Sequence, residues 1–133
     1  MPSLRASQIN DAITDAIGES GCIALLSPST TINPRRFIAV EGDRQISVWI
    51  YAWTLTHGGR PNLPNEFRVQ MTGVDSPLQL NQRGPTVILG YEPSLKMFAG
   101  LDISRHAKFT QGSPSVQIDV RTVQKAQIGR AHV

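Results

Sequence analysis

Between Ile46 and Leu55 both alternating sets of side chains are apolar: Val48, Ile50 and Ala52 fall on one side of an extended chain, Trp49, Tyr51, Trp53 and Leu55 on the other. Successive side chains of a strand project to opposite faces, so this segment needs cover on both. It predicts a strand at the centre of a barrel or sandwich. The same stretch runs on into a polar loop and a second strand, so Arg44 to Val74 holds both a core and a candidate site.

The rest of the chain supplies partners for that strand. Its 133 residues fit one domain, large enough to bury roughly two thirds of its unfolded surface without metals or disulfides. In Ser7 to Ile17, the residues Ile9, Ala12, Ile13, Ala16 and Ile17 recur at helical spacing, opposite Asn10, Asp11, Thr14 and Asp15. Ser7 is a candidate cap and Gly18 a candidate left-handed terminator.

Cys22 to Leu26 is a short apolar run bounded by Ser27-Pro28-Ser29-Thr30, which suits a buried strand. Asn33-Pro34-Arg35-Arg36 has the composition of a turn. Phe37 to Val40 then forms a hairpin with the long strand through Glu41-Gly42-Asp43-Arg44. Further strands are predicted over Phe67–Met71, Thr86–Tyr91, Lys96–Ile103 and Val116–Val120, with a short helix over Thr122–Ile128. The fold class expected is mainly β (α+β), an open barrel or pseudobarrel of about seven strands with an N-terminal helix and a short C-terminal one.

Composition narrows the function. Net charge is +3, and ten of the thirteen basic residues are arginines, whose planar fork suits phosphates and guanine edges. The single cysteine, Cys22, excludes an internal disulfide and fits a buried thiol in a reducing compartment. Neither a secretory leader nor a membrane-spanning run is evident, so a cytoplasmic protein is expected.

The candidate site residues are of the types that hold DNA. Arg35, Arg36 and Arg83 are the expected phosphate contacts, while the loop with His57, Arg60, Asn62 and Asn65, followed by Arg68 and Gln70 on one strand face, is the expected base reader. Trp49, Tyr51 and Trp53, with Asp102 or Asn65 for an edge hydrogen bond, form a candidate pocket for an extruded or modified base. Interior packing competes for at least two of the three rings. A small-ligand or protein-interaction barrel using that aromatic face is the alternative reading.

Catalysis finds little support. His57, His106, Asp102 and Glu66 could supply an acid and a base, but no spacing matches a nucleophile motif, and a histidine at a strand end is more often structural. Zinc spacings and a phosphate-cradling glycine loop are absent as well, so no catalytic residue, metal or cofactor is assigned.

Two stretches, Trp53 to Pro61 continuing through Glu66–Val74, and Phe98–Asp102 through His106 to Ser113–Ile118, resemble patterns in N-terminal domains of bacterial restriction endonucleases. The resemblance implies a target-recognition module similar to the B3-like pseudobarrels, in which paired loops at one end of the barrel grip the major groove of double-stranded DNA. No PD-(D/E)XK or HNH nuclease motif is present. The resemblance therefore implies that residues 1–133 are a recognition domain that binds without cutting, the N-terminal part of a longer endonuclease whose nuclease domain or subunit lies beyond Val133.

Overall fold

Cover on both faces of the Ile46–Leu55 strand is what the fold provides. The computed structural model describes residues 5–30, 32–57, 62, 66–72, 77–101 and 115–119. Its elements are α1 (Ala6–Glu19), β1 (Ile23–Leu26), β2 (Arg35–Glu41), β3 (Arg44–His57), β4 (Glu66–Gln70), β5 (Thr86–Glu92), β6 (Met97–Leu101) and β7 (Ser115–Asp119). The segment predicted as a C-terminal helix lies outside the described residues.

β3 divides its length among three partners. Arg44 to Ile50 pair antiparallel with β2, Trp49 to Thr54 pair parallel with β5, and Leu55 to His57 pair antiparallel with β4. β1 adds to β2, β6 to β5 and β7 to β4, all antiparallel. Among the described residues β1, β6 and β7 each have one neighbour, so the seven-stranded sheet is an open pseudobarrel, mainly β with one helix.

The alternation along β3 builds two cores. Ile50 and Ala52 pack with Phe37 of β2 and with Ile9 and Ile13 of α1, and Val48 and Ile17 lie against this cluster. Each large side chain buried there contributes roughly 1.5–3 kcal/mol. Tyr51, Trp53 and Leu55 pack on the other face with Val69, Met71, Leu78, Ile88 and Met97. Their polar atoms are paired too: the Trp53 indole N–H donates to the Thr72 carbonyl at 3.1 Å, and the Tyr51 hydroxyl accepts from the Gln79 N–H at 2.9 Å.

Three local expectations change. The helix starts after Arg5, whose backbone N–H donates to the Gln8 side chain at 2.9 Å, so Ser7 sits inside the first turn. It runs through Gly18, and Gly21 with φ 93° takes the left-handed position. β1 is an edge strand and not a buried one: Ile23 and Leu25 are 64% and 53% exposed, because among the described residues only β2 pairs with it. Strand β2 begins at Arg35, two residues before the predicted start, so Arg35 and Arg36 belong to a strand and not to a turn.

At Gly90 the two halves of the second core meet, and an added Cβ would collide with the Val69 side chain. Gly90→Ala is expected to destabilise the fold by about 1–3 kcal/mol through overpacking. Gly100→Ala, where an added Cβ meets nothing, is the matched control, and urea denaturation of both variants checks the difference.

Burial pushes the Tyr51 phenol above its ordinary range, against smaller opposing effects of the Gln79 backbone hydrogen bond and of Arg36. A folded pKa raised above the unfolded one means that the neutral phenol's contribution is complete below about pH 10 and is lost as pH rises through the folded value. Stability measured by urea between about pH 9 and 11 should therefore fall more steeply for wild type than for Tyr51→Phe.

Candidate functional site

Strand alternation separates the two adjacent arginines. Arg35 points into the protein, and Arg36 points out beside Trp49, its cross-strand partner. The Arg36 guanidinium carbon lies 4.3 Å from the centre of the Trp49 ring, a stacked cation–π contact. A cation stacked on a ring face presents its N–H edge sideways, in the orientation that meets a ligand.

Asn81 builds the opposite wall. Its Nδ2 donates to the Ser47 carbonyl at 3.0 Å and its N–H to Thr86 Oγ1 at 2.7 Å, while its Oδ1 accepts from the Arg83 N–H at 2.9 Å. The Trp49 N–H donates to the Pro85 carbonyl at 3.0 Å. These bonds press the 81–85 segment against β3 and leave Gln82 and Arg83 exposed beside Trp49.

Between Arg36 and Arg83 lies a cleft of about 460 Å³, floored by Trp49 and edged by Leu25 and Ile38. Among the described residues no acidic side chain lines it. Two guanidinium groups, an indole face and the Gln82 amide make it suited to a phosphate beside a flat or apolar group.

The other predicted residues fall elsewhere. Tyr51 and Trp53 are 5% and 7% exposed and pack in the core; of the three rings Trp49 lines this cleft and Trp53 lines a separate cavity. Gln70 is exposed and lines a separate cavity in which Arg35 also takes part. Arg68 is half-buried, and its Nε makes no hydrogen bond among the described residues. Asn62 is exposed in a turn. The backbone of His57 ends β3, whereas Arg60, Asn65, Asp102 and His106 lie outside the described residues.

Sequence reasoning missed Asn33, whose amide serves β3 as a further strand residue would. Its Oδ1 accepts from the Ala52 N–H at 2.8 Å and its Nδ2 donates to the Ala52 carbonyl at 3.1 Å. The signal was an Asn-Pro placed where β2 leaves β3. Thr54 and Thr56 were also passed over, although they replace the apolar series of Val48, Ile50 and Ala52 on the same face and so mark where apolar cover ends.

Among the described residues no three His, Cys, Asp or Glu side chains gather as a metal site would require, and no helix is long and apolar enough to cross a membrane. No curated protein and no solved structure matches the chain. The family described as methylase-associated X1 does, over residues 46–133, from the start of the two-faced apolar segment of β3 onward. With more than half of its length covered by that match, the chain belongs to the methylase-associated X1 family, a domain family of restriction–modification context.

Proposed function

We propose that this domain recognises double-stranded DNA for a restriction–modification system and leaves cleavage or methylation to other domains or subunits. The observation that carries the reading is the cleft of Arg36, Trp49, Gln82 and Arg83, with two cations and, among the described residues, no acid in its lining. A methylase-associated domain needs a way to engage the substrate that methylases share with nucleases, and such a cleft supplies phosphate contacts.

In this reading Arg36 and Arg83 hold phosphates. Arg60, Asn62 and Asn65, together with Arg68 and Gln70, are assigned to base edges, where arginine pairs with guanine and Asn or Gln with adenine. From Trp49 to His57 a strand rises about 26 Å at roughly 3.3 Å per residue, a span of some eight base pairs. Phosphate and base contacts at the two ends of that span fit one duplex.

Fluorescence anisotropy with random-sequence duplex DNA, methylated and unmodified, at two salt concentrations tests this. Binding should weaken steeply with salt. Arg36→Ala and Arg83→Ala should each weaken all sequences alike and lower the salt slope by about one. Asn62→Ala should instead relax base preference, at a cost of about 1–3 kcal/mol. Absence of binding at low salt would overturn the reading and favour a protein-interaction surface, for which the exposed Ile23, Leu25 and Ile38 beside the cleft provide apolar contact area.

A further inference from the structure

The inward-pointing Arg35 raises a separate question of charge. Its side chain is 2% exposed, and a guanidinium stays protonated at any ordinary pH. Nε donates to Asn10 Oδ1 on α1, and Nη1 donates to Asn33 Oδ1 at 2.5 Å and to the Ala52 carbonyl at 3.3 Å. All three acceptors are neutral. Among the described residues no carboxylate pairs with the charge. A buried charge is ordinarily paired, because neutral acceptors fix its direction without cancelling it.

Arg35 lines a cavity of about 390 Å³. Around it stand Asn33, Thr54, Thr56, Gln70 and Thr72, and Ala6 and Ile9 bring the first turn of α1 to its edge. That turn carries no acidic residue, so nothing on it offsets the partial positive charge of the helix N-terminus. Among the described residues no acid lines the cavity either. A buried guanidinium, the first turn of a helix, three threonines, an asparagine and a glutamine therefore line one space.

We infer that this cavity is a second site, distinct from the Arg36–Trp49 cleft, and that it takes the phosphate ester of a nucleotide. A tetrahedral phosphate has enough acceptor oxygens to use the guanidinium and several hydroxyls together, more than a carboxylate offers. The volume lies in the range of sites that hold a small organic ligand, and so accommodates a phosphate together with the group it is esterified to. The phosphate comes either from a free nucleotide or from a DNA strand. Thr56 and Gln70, on β3 and β4, place part of the cavity lining on the two strands that pair at Leu55–His57.

The experiment uses isothermal titration of the whole chain with 2′-deoxynucleoside 5′-monophosphates, with the corresponding nucleosides, and with inorganic phosphate, beside anisotropy on duplex DNA. Because Arg35→Met removes a buried network and could unfold the chain, the working variant is Thr56→Val with Thr72→Val, which keeps side-chain shape and removes two hydroxyls. Monophosphates should bind at least tenfold more tightly than nucleosides, and the double variant should lose at least fivefold with an unchanged melting temperature. If monophosphates do not bind but the double variant weakens duplex binding by the same factor, the phosphate is that of a DNA strand and the site stands.

Wild type that binds neither phosphate nor monophosphate, with duplex affinity unchanged in the double variant, would overturn the inference. Equal affinity of the double variant and wild type for monophosphates would do the same. Arg36→Ala separates this site from the proposed DNA cleft: monophosphate binding lost in Arg36→Ala but retained in the threonine double variant would place the nucleotide in the Arg36–Trp49 cleft and overturn the inference.

Discussion

A strand that is apolar on both faces cannot remain at a sheet surface, and most of this fold follows from covering β3 twice. The helix α1 covers one face through Ile9 and Ile13. The other face is covered by the chain itself, as β4, β5 and β6 bring Val69, Ile88 and Met97 over Tyr51, Trp53 and Leu55. Neither cover extends along all 14 residues of β3. At one end Trp49 emerges from cover beside Arg36, and at the other Thr54 and Thr56 follow Ala52 where the apolar series gives way to a cavity edged by the first turn of α1. Both candidate sites lie at these limits of the apolar cover, where polar groups can be held in place by a rigid strand and still meet a ligand.

The contact between helix and sheet carries a second constraint. Asn10 is buried in a helix whose other buried side chains are isoleucines, and Arg35 is buried in a strand that otherwise buries Phe37 and Ala39. The two are joined, and Asn33 ties the same guanidinium to the edge of β3. Such a network orients α1 on the sheet more specifically than isoleucine packing alone, because hydrogen bonds have direction and apolar contacts have little. Apolar side chains of similar size would fill the space with a smaller desolvation cost. That cost, with no carboxylate among the described residues to offset it, is why Arg35 reads as more than a tether.

Much of the architecture was legible from short-range periodicity. The helix, the β2–β3 hairpin and the opposite facing of Trp49 and Ile50 all follow from side-chain spacing within a few residues. The parallel pairing of β3 with β5 does not, because Trp49 and Thr86 are brought together by the intervening chain and no local pattern encodes it. Burial of β1 failed for a related reason: an apolar run signals strand, but only tertiary pairing decides between centre and edge. Arg35 and Arg36 show how a boundary controls a functional reading. With the strand starting at Phe37 they form one charged turn, and with the strand starting at Arg35 they face opposite sides.

This opposition divides the chemistry in a way that matches the extent of the family match. Trp49, Gln82 and Arg83 of one site, and Thr54, Thr56, Gln70 and Thr72 of the other, all lie within residues 46–133. Arg36 and Arg35, one for each site, come from β2, before that region, as does the α1 turn at the edge of the cavity. Each site is thus closed by a cation supplied from the N-terminal segment onto a wall supplied by the family domain. Residues 46–133 alone would retain the hydroxyls, the indole and Arg83 but would lose both β2 guanidiniums and the main cover of one β3 face. The N-terminal helix and hairpin strand are accordingly part of both candidate sites, and adjacent positions of β2 place their two guanidiniums on opposite faces of the sheet.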